Sequence, residues 1–196
     1  GSRVKCGIIK LASGPELGTP LPERGSELVP YGGKLRPSEE KTFSAGARVQ
    51  KSLGVTITTH TDIYDWHIDN PGLRQLDVLE REGADPSRCI IGHADSTTDI
   101  SKLVEVMERG ATVGIDTIGY EGPQRSIRHR LGLVVALVAM GYESQILLSH
   151  DTVMYERRPP GSKDDPQRYN GGNLGLLFEE FIPNLLKAGV SEKAVH

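Results

Sequence analysis

Lys10, His60, His93 and Asp151 each follow a short apolar run: Cys-Gly-Ile-Ile, Thr-Ile-Thr-Thr, Ile-Ile-Gly and Ile-Leu-Leu-Ser-His. Imidazole nitrogens and carboxylate oxygens suit Zn²⁺, Mn²⁺, Co²⁺ or Fe²⁺, and a hydrolytic site with two ions roughly 3.5–4 Å apart needs several such ligands. An unmodified lysine cannot join them, because an ammonium has three donors and no acceptor. Taken singly, a strand-end His or Asp often only satisfies loop amides, and a strand-end Lys is usually solvated. Occurrence at equivalent positions favours a shared site.

Those positions are set by the elements around them. Val4 to Leu11, Val55 to Thr59, Cys89 to Ile91, Ala111 to Ile115 and Gln145 to Leu148 are apolar nearly throughout and read as strands buried on both faces. Helical patterns lie between them. Pro37-Ser38-Glu39-Glu40 opens a helix to about Ser52 that Gly54 closes, and Asn70-Pro71 opens one ending near Gly83. Asp95 to Thr98 offer caps for a helix through about Arg109, with Gly110 at its end. Two more run from about Gln124 to Met140 and from about Leu174 to Ala188, before Gly141 and Gly189. The alternation predicts an α/β fold with a parallel sheet.

An open doubly wound sheet and a closed (β/α)₈ barrel both accept this pattern. A dinucleotide fold should show a Gly-rich turn after its first strand, but Ala-Ser-Gly-Pro-Glu-Leu-Gly follows Leu11, with no GxGxxG. The polar residues repeatedly terminate strands at the C-terminal end, where (β/α)-barrels build their active sites. The reading is therefore a single domain, residues 1–196, forming an apparently truncated C-terminal portion of a (β/α)₈ TIM barrel, about five βα units.

Composition narrows the partners. The chain has 196 residues, 37% hydrophobic and 25% charged, which is ordinary for one globular domain. The formal charge of −3 and scattered basic residues argue against nucleic acid, so a small-molecule or protein partner is expected. Leu131 to Met140, the longest apolar stretch, is far short of the roughly 20 residues a membrane span needs, and no secretory h-region opens the chain. Cys6 and Cys89 lie in apolar runs without a CxxC and read as buried free thiols in a reducing, cytoplasmic compartment. Gly1-Ser2 has the look of a cloning remnant, so the natural sequence is expected to begin further upstream.

Gly-Ile-Ile-Lys (7 to 10), Thr-Ile-Thr-Thr-His-Thr (56 to 61), Ile-Ile-Gly-His (90 to 93), Gly-Ile-Asp-Thr-Ile-Gly (114 to 119) and Gly-Tyr-Glu-Ser-Gln-Ile-Leu-Leu-Ser-His-Asp (141 to 151) together carry a family likeness. In order and spacing they resemble strands four to eight of the phosphotriesterase family. The resemblance implies a binuclear metal hydrolase, most often with Zn, with Co, Mn or Fe as alternatives. It implies that Lys10 is carboxylated by CO₂ and bridges both ions through its carbamate, that His60 and His93 hold one ion, and that Asp151 binds the other. Asp151 would also be catalytic, handling the proton of the bridging hydroxide that attacks a lactone, carboxylic ester or organophosphate triester.

The departures from that pattern matter as well. No His-x-His, which closes the family's first strand and supplies two more ligands, occurs in this chain. Many lactonase-like members carry Arg where this chain has Thr117, whereas other branches share Asp-Thr-Ile-Gly, so Thr117 is a substrate-side candidate. Tyr64 and Trp66, with His67, follow His60 in a loop and read either as an apolar pocket wall or as an ordinary loop packed on the barrel rim. His150 precedes Asp151 on the same strand, so it should point to the opposite face and pack. The Gly- and Pro-rich loop from Ser13 to Arg36 reads as a lid, a specificity insert or a plain surface loop, and residues 157–165 as a loop over the site or a solvated one.

The leading expectation is thus a metal-dependent hydrolase of lactones, esters or organophosphate triesters, with a homodimer allowed and no nucleic-acid or membrane partner. Two other readings stay open. The same metals could serve amide or cyclic-imide hydrolysis, or the chain could be a non-catalytic truncated homologue lacking the His-x-His ligands.

Overall fold

A computed structural model describes residues 6–14, 35–62, 65–120, 126–151 and 173–195. The chain divides into two compact units, residues 1–113 and 114–196. In the first, β1 (Ile8–Ala12), α1 (Pro37–Leu53), β2 (Thr56–His60), α2 (Asp65–Ile68), α3 (Pro71–Arg81), β3 (Cys89–Ile91) and α4 (Ile100–Glu108) follow in order. The strand β4 (Thr112–Ile115) crosses the boundary, and α5 (Ile127–Ala139), β5 (Ile146–Leu148), α6 (Ile182–Lys187) and α7 (Glu192–Val195) complete the second. The strands hydrogen-bond in chain order, β1-β2-β3-β4-β5. Among the described residues no helix is long and apolar enough to cross a membrane.

Local chemistry explains the boundaries. Pro37 presets the first turn of α1, and Gly54 ends it in the left-handed region at φ 66°, its N–H reaching Gln50 O at 2.7 Å. The side chains of Asn70, Asp99 and Ser126 accept from Leu73, Ser101 and His129 N–H, capping α3, α4 and α5. The expected helix at Asp95 therefore starts later, at Ile100, because residues 94–96 form a separate 3₁₀ turn after His93. The loop after β2 also holds the short helix α2, which the sequence pattern did not announce. Residues 177–181 form a π-turn leading into α6, consistent with Pro183, which has no N–H to donate back along the helix.

In the first unit the pairing is parallel, with Lys10 opposite Thr58, Ala12 opposite His60, Thr58 opposite Ile90 and Ile90 opposite Thr112. One sheet face carries Leu11, Ile57, Cys89, Ile91 and Val113, all buried, as are the helix residues Phe43, Ala47, Leu76, Leu79, Leu103 and Val106. Burying a side chain such as Ile57 or Leu79 stabilises by about 1.5–3 kcal/mol. Two glycines permit close helix packing: a Cβ on Gly46 would lie 2.9 Å from Leu11 Cδ1, and one on Gly72 would lie 2.7 Å from Val106 Cγ2. Side chains alternate along a strand, so Lys10, Thr58, His60 and Ile90 share the other face. That face is not sealed: Ile8 and Lys10 are exposed, and Thr58, His60 and Ile90 are half-buried. The expectation of strands buried on both sides is corrected to burial on the helix side.

Cysteine burial is corrected in the same way. Cys89 is a buried free thiol, but Cys6 is exposed. Burial pushes the Cys89 thiol up to about 11.

In the second unit, α5 buries Arg130, Leu133, Val134 and Leu137, one helical stripe, and packs against α6. Ser149 N–H donates to Ile115 O and Ile118 N–H to Ser149 O, both at 3.1 Å. These bonds tie the exit of β4 to the exit of β5.

Candidate metal centre

The parallel register puts Lys10 one residue pair behind His60 on the same face of the first unit. His93 needs a different explanation. Strict alternation would aim it with Ile91 toward the helices, but its backbone turns into the left-handed region at φ 56°, where non-glycine residues are uncommon. The turn brings its ring to that of His60, with centroids 4.5 Å apart and planes at 87°. Lys10 Nζ donates to the Thr59 carbonyl at 3.0 Å.

Buried polar groups fix the two histidine-bearing segments to each other. Thr61, fully buried, donates its hydroxyl to Gly92 O at 2.7 Å and accepts the Trp66 indole N–H at 2.7 Å. One hydroxyl thus links the residue after His60 to the residue before His93. Gln75, also fully buried, reaches from α3 to donate through Nε2 to His60 O and to Ser13 Oγ, each at 2.8 Å. Ser13 N–H donates to the same His60 carbonyl at 3.1 Å. Lys102 caps the end of α2, donating to Trp66 O and Asp69 O. Beside it, burial raises the Asp65 carboxyl, with Arg74 at 2.9 Å pulling the other way.

The remaining candidates are spread over the second unit, the first unit and the residues outside the described ones. Asp151 directly follows the β5 exit and has φ 47°, again left-handed for a non-glycine residue. Its carbonyl accepts the Tyr120 hydroxyl at 3.0 Å. Thr117 is buried, its Oγ1 accepting Arg130 Nη2 at 2.7 Å. His150 is half-buried. Trp66 is fully buried rather than open on a pocket wall, and Tyr64 lies outside the described residues. So do residues 157–165 and the interior of the loop from Ser13 to Arg36.

The donor set accommodates a divalent ion in part. Two adjacent imidazoles are apt nitrogen ligands, whereas Lys10, its Nζ bonded to the Thr59 carbonyl, could join them only if carboxylation turned the cation into an anionic oxygen ligand. Among the described residues no three His, Cys, Asp or Glu side chains cluster closely enough to hold an ion alone. Unmodified, the set is incomplete.

Thr61, Gln75, Tyr120 and Arg130 are residues that site reasoning from the sequence missed. Two carried a readable signal: Gln75 and Arg130 interrupt the apolar stripes Gly72-Gln75-Leu76-Leu79 and Arg130-Leu133-Val134-Leu137. A polar side chain on a core stripe needs a partner inside.

Comparison with known proteins follows the same lines. The model of the Phosphotriesterase family matches residues 25–196. The chain is similar to the aryldialkylphosphatase of Saccharolobus solfataricus, 30% identical over 159 residues, covering 80% of this chain and 48% of that protein. It is 31% identical over 196 residues to the phosphotriesterase homology protein of Escherichia coli, covering 100% of this chain and 56% of the other. A solved mutant organophosphorus hydrolase from Deinococcus radiodurans superimposes with a TM-score of 0.80 at 30% identity, covering 100% of this chain and 54% of that one. The chain therefore spans about half the length of the proteins it matches. The expected fold class, a portion of a (β/α)₈ barrel, agrees with the strand order and this superposition.

Proposed function

The chain belongs to the phosphotriesterase family, and from that premise we propose that it forms the ligand-bearing part of a metal-dependent hydrolase cleaving a lactone, carboxylic ester or organophosphate triester. The observation that carries this reading is the edge-to-face approach of His60 and His93, braced by Thr61. Two imidazoles held this way at the ends of adjacent strands have little purpose in packing alone. In this proposal His60, His93, a carboxylated Lys10 and Asp151 would be the residues that hold the divalent ions. Zn is the leading candidate, with Co, Mn or Fe as alternatives. When bound, such ions supply Lewis acidity, polarising the scissile group and acidifying water.

The chain's own residues do the rest. Thr61 links the two imidazole-bearing segments and Gln75 ties the His60 carbonyl to Ser13, which would set ligand geometry before an ion arrives. Asp151 takes the proton released as water adds across the ester, lactone or phosphoryl bond, and passes it to the leaving oxygen. Thr117 and Tyr64 are proposed on the substrate side, whereas Trp66, fully buried, bears on the site only indirectly. Thr117 would act through the loop it anchors, and Trp66 by ordering the segment after His60.

The test uses the protein as its gene encodes it, stripped of metal and reconstituted with Zn, Co or Mn, with and without bicarbonate. Turnover of a lactone or an organophosphate triester at about two metal equivalents supports the proposal. Turnover confined to amides would move the chain to an amide-hydrolysing reading. Failure to bind metal would defeat the catalytic reading.

A further inference from the structure

Arg130 is fully buried, yet it rises from the apolar stripe of α5, where a guanidinium must be fully engaged to be tolerated. Its Nη2 donates to Thr117 Oγ1 and its Nη1 to the Tyr120 carbonyl, both at 2.7 Å. One planar fork therefore grips both ends of the turn that leaves β4, a turn closed by Tyr120 N–H to Thr117 O at 3.0 Å and containing Gly119 at φ 104°. From that turn the Tyr120 phenol reaches the Asp151 carbonyl at 3.0 Å. Asp151 itself sits in the left-handed region, a backbone state that persists in a non-glycine residue only where the surroundings hold it.

We infer that Tyr120 is the positioning residue of Asp151, fixing its left-handed backbone through the carbonyl, and that Arg130 positions Tyr120 in turn. This rests on the proposed role of Asp151. Asp151 would not depend on β5 alone for its direction, because its peptide is anchored to the β4 turn, which is anchored to a buried helix side chain. Neither Tyr120 nor Arg130 touches the reacting atoms in this scheme.

The decisive variant is Tyr120→Phe, which deletes one hydroxyl and keeps the ring. In the full natural protein it should lower kcat on the order of tenfold with KM within about twofold, since small displacements of a catalytic group cost rate more than binding. Titration of the metal-free protein with Co²⁺ should show weaker binding of the second equivalent and an unchanged first. Arg130→Lys keeps the charge but puts one nitrogen in place of the two fixed donors of the planar fork, so it should act in the same direction. The double variant should lose little more than the worse single one, because both act through one link. Should Arg130→Lys fail to fold, Tyr120→Phe decides alone. Asp151→Asn serves as the reference. A large loss there with wild-type kcat and second-ion affinity in Tyr120→Phe overturns the inference and leaves the proposed function standing. A silent Asp151→Asn overturns both.

Discussion

The imidazole rings of His60 and His93 meet edge to face, 4.5 Å between centroids and 87° between planes, although strand alternation alone would have sent them to opposite faces of the sheet. β3 ends at Ile91, so His93 has left the strand and carries a left-handed backbone at φ 56°. If the pair holds one ion, His60→Ala and His93→Ala should each remove the same equivalent of metal, and the double variant no more. Elemental analysis after dialysis checks this, and independent losses would separate the two residues. Thr61→Val, nearly isosteric, should weaken metal binding by about 10–100-fold, the usual effect of deleting an outer partner. It also strands the Trp66 N–H and the Gly92 carbonyl, so unfolding should become about 1–3 kcal/mol easier.

Lys10 gives the second prediction. As an ammonium it donates to Thr59 O at 3.0 Å and can bind no cation. Lys10→Ala in the full natural protein should abolish tight binding of one of the two ions, and bicarbonate should speed reconstitution of the metal-free wild type but not of the variant. Unchanged stoichiometry in Lys10→Ala would remove this residue from the site.

Packing behind the histidines yields a third. Gly72 lies where a Cβ would meet Val106 Cγ2 at 2.7 Å and Ile91 Cγ2 at 3.2 Å, both on short, branched side chains with little room to retreat. Gly72→Ala should destabilise by about 1–3 kcal/mol despite the better helix propensity of alanine. Thermal unfolding measures it, and a raised Tm would show that α3 and α4 can separate at low cost.

The sequence made the strand ends legible because apolar runs and single polar terminators are local signals. Lys10 and His60 needed only alternation and register to be read together. What escaped were features that depend on the turn of one residue or on a bond across many residues. The φ of His93 leaves no mark in Ile-Ile-Gly-His, and Thr61 looks like any β-branched residue until Gly92 and Trp66 are found beside it. Asp99 took the cap role expected near Asp95 because a 3₁₀ turn occupied residues 94–96 first. The exposure of Cys6 has a different reason. An apolar run marks a strand, but burial needs a cover on each face.

Glu39 closes the base of the long loop after β1 and supplies a prediction about pH. Its two carboxylate oxygens accept the N–H of Gly14 and of Arg36, each at 2.9 Å, and the Arg36 guanidinium bonds both Glu39 and the Gly14 carbonyl. Burial by itself would push this carboxyl up, but the bonds from Arg36 and Gly14 outweigh it and hold the group below 4.5. A folded value under the unfolded one means that folding is favoured by deprotonation. The contribution is therefore present above pH 4.5 and disappears as the pH falls through the lower folded value. Glu39→Gln keeps one acceptor and loses the charge. It should cost about 1–3 kcal/mol near neutrality, the scale of hydrogen bonds to a charged group. The gap between variant and wild type should then close on acidification, because the wild type loses its advantage while the variant has none to lose. Urea unfolding of both proteins across the acidic range measures this, and a gap that stays constant with pH would show that Glu39 acts by shape alone.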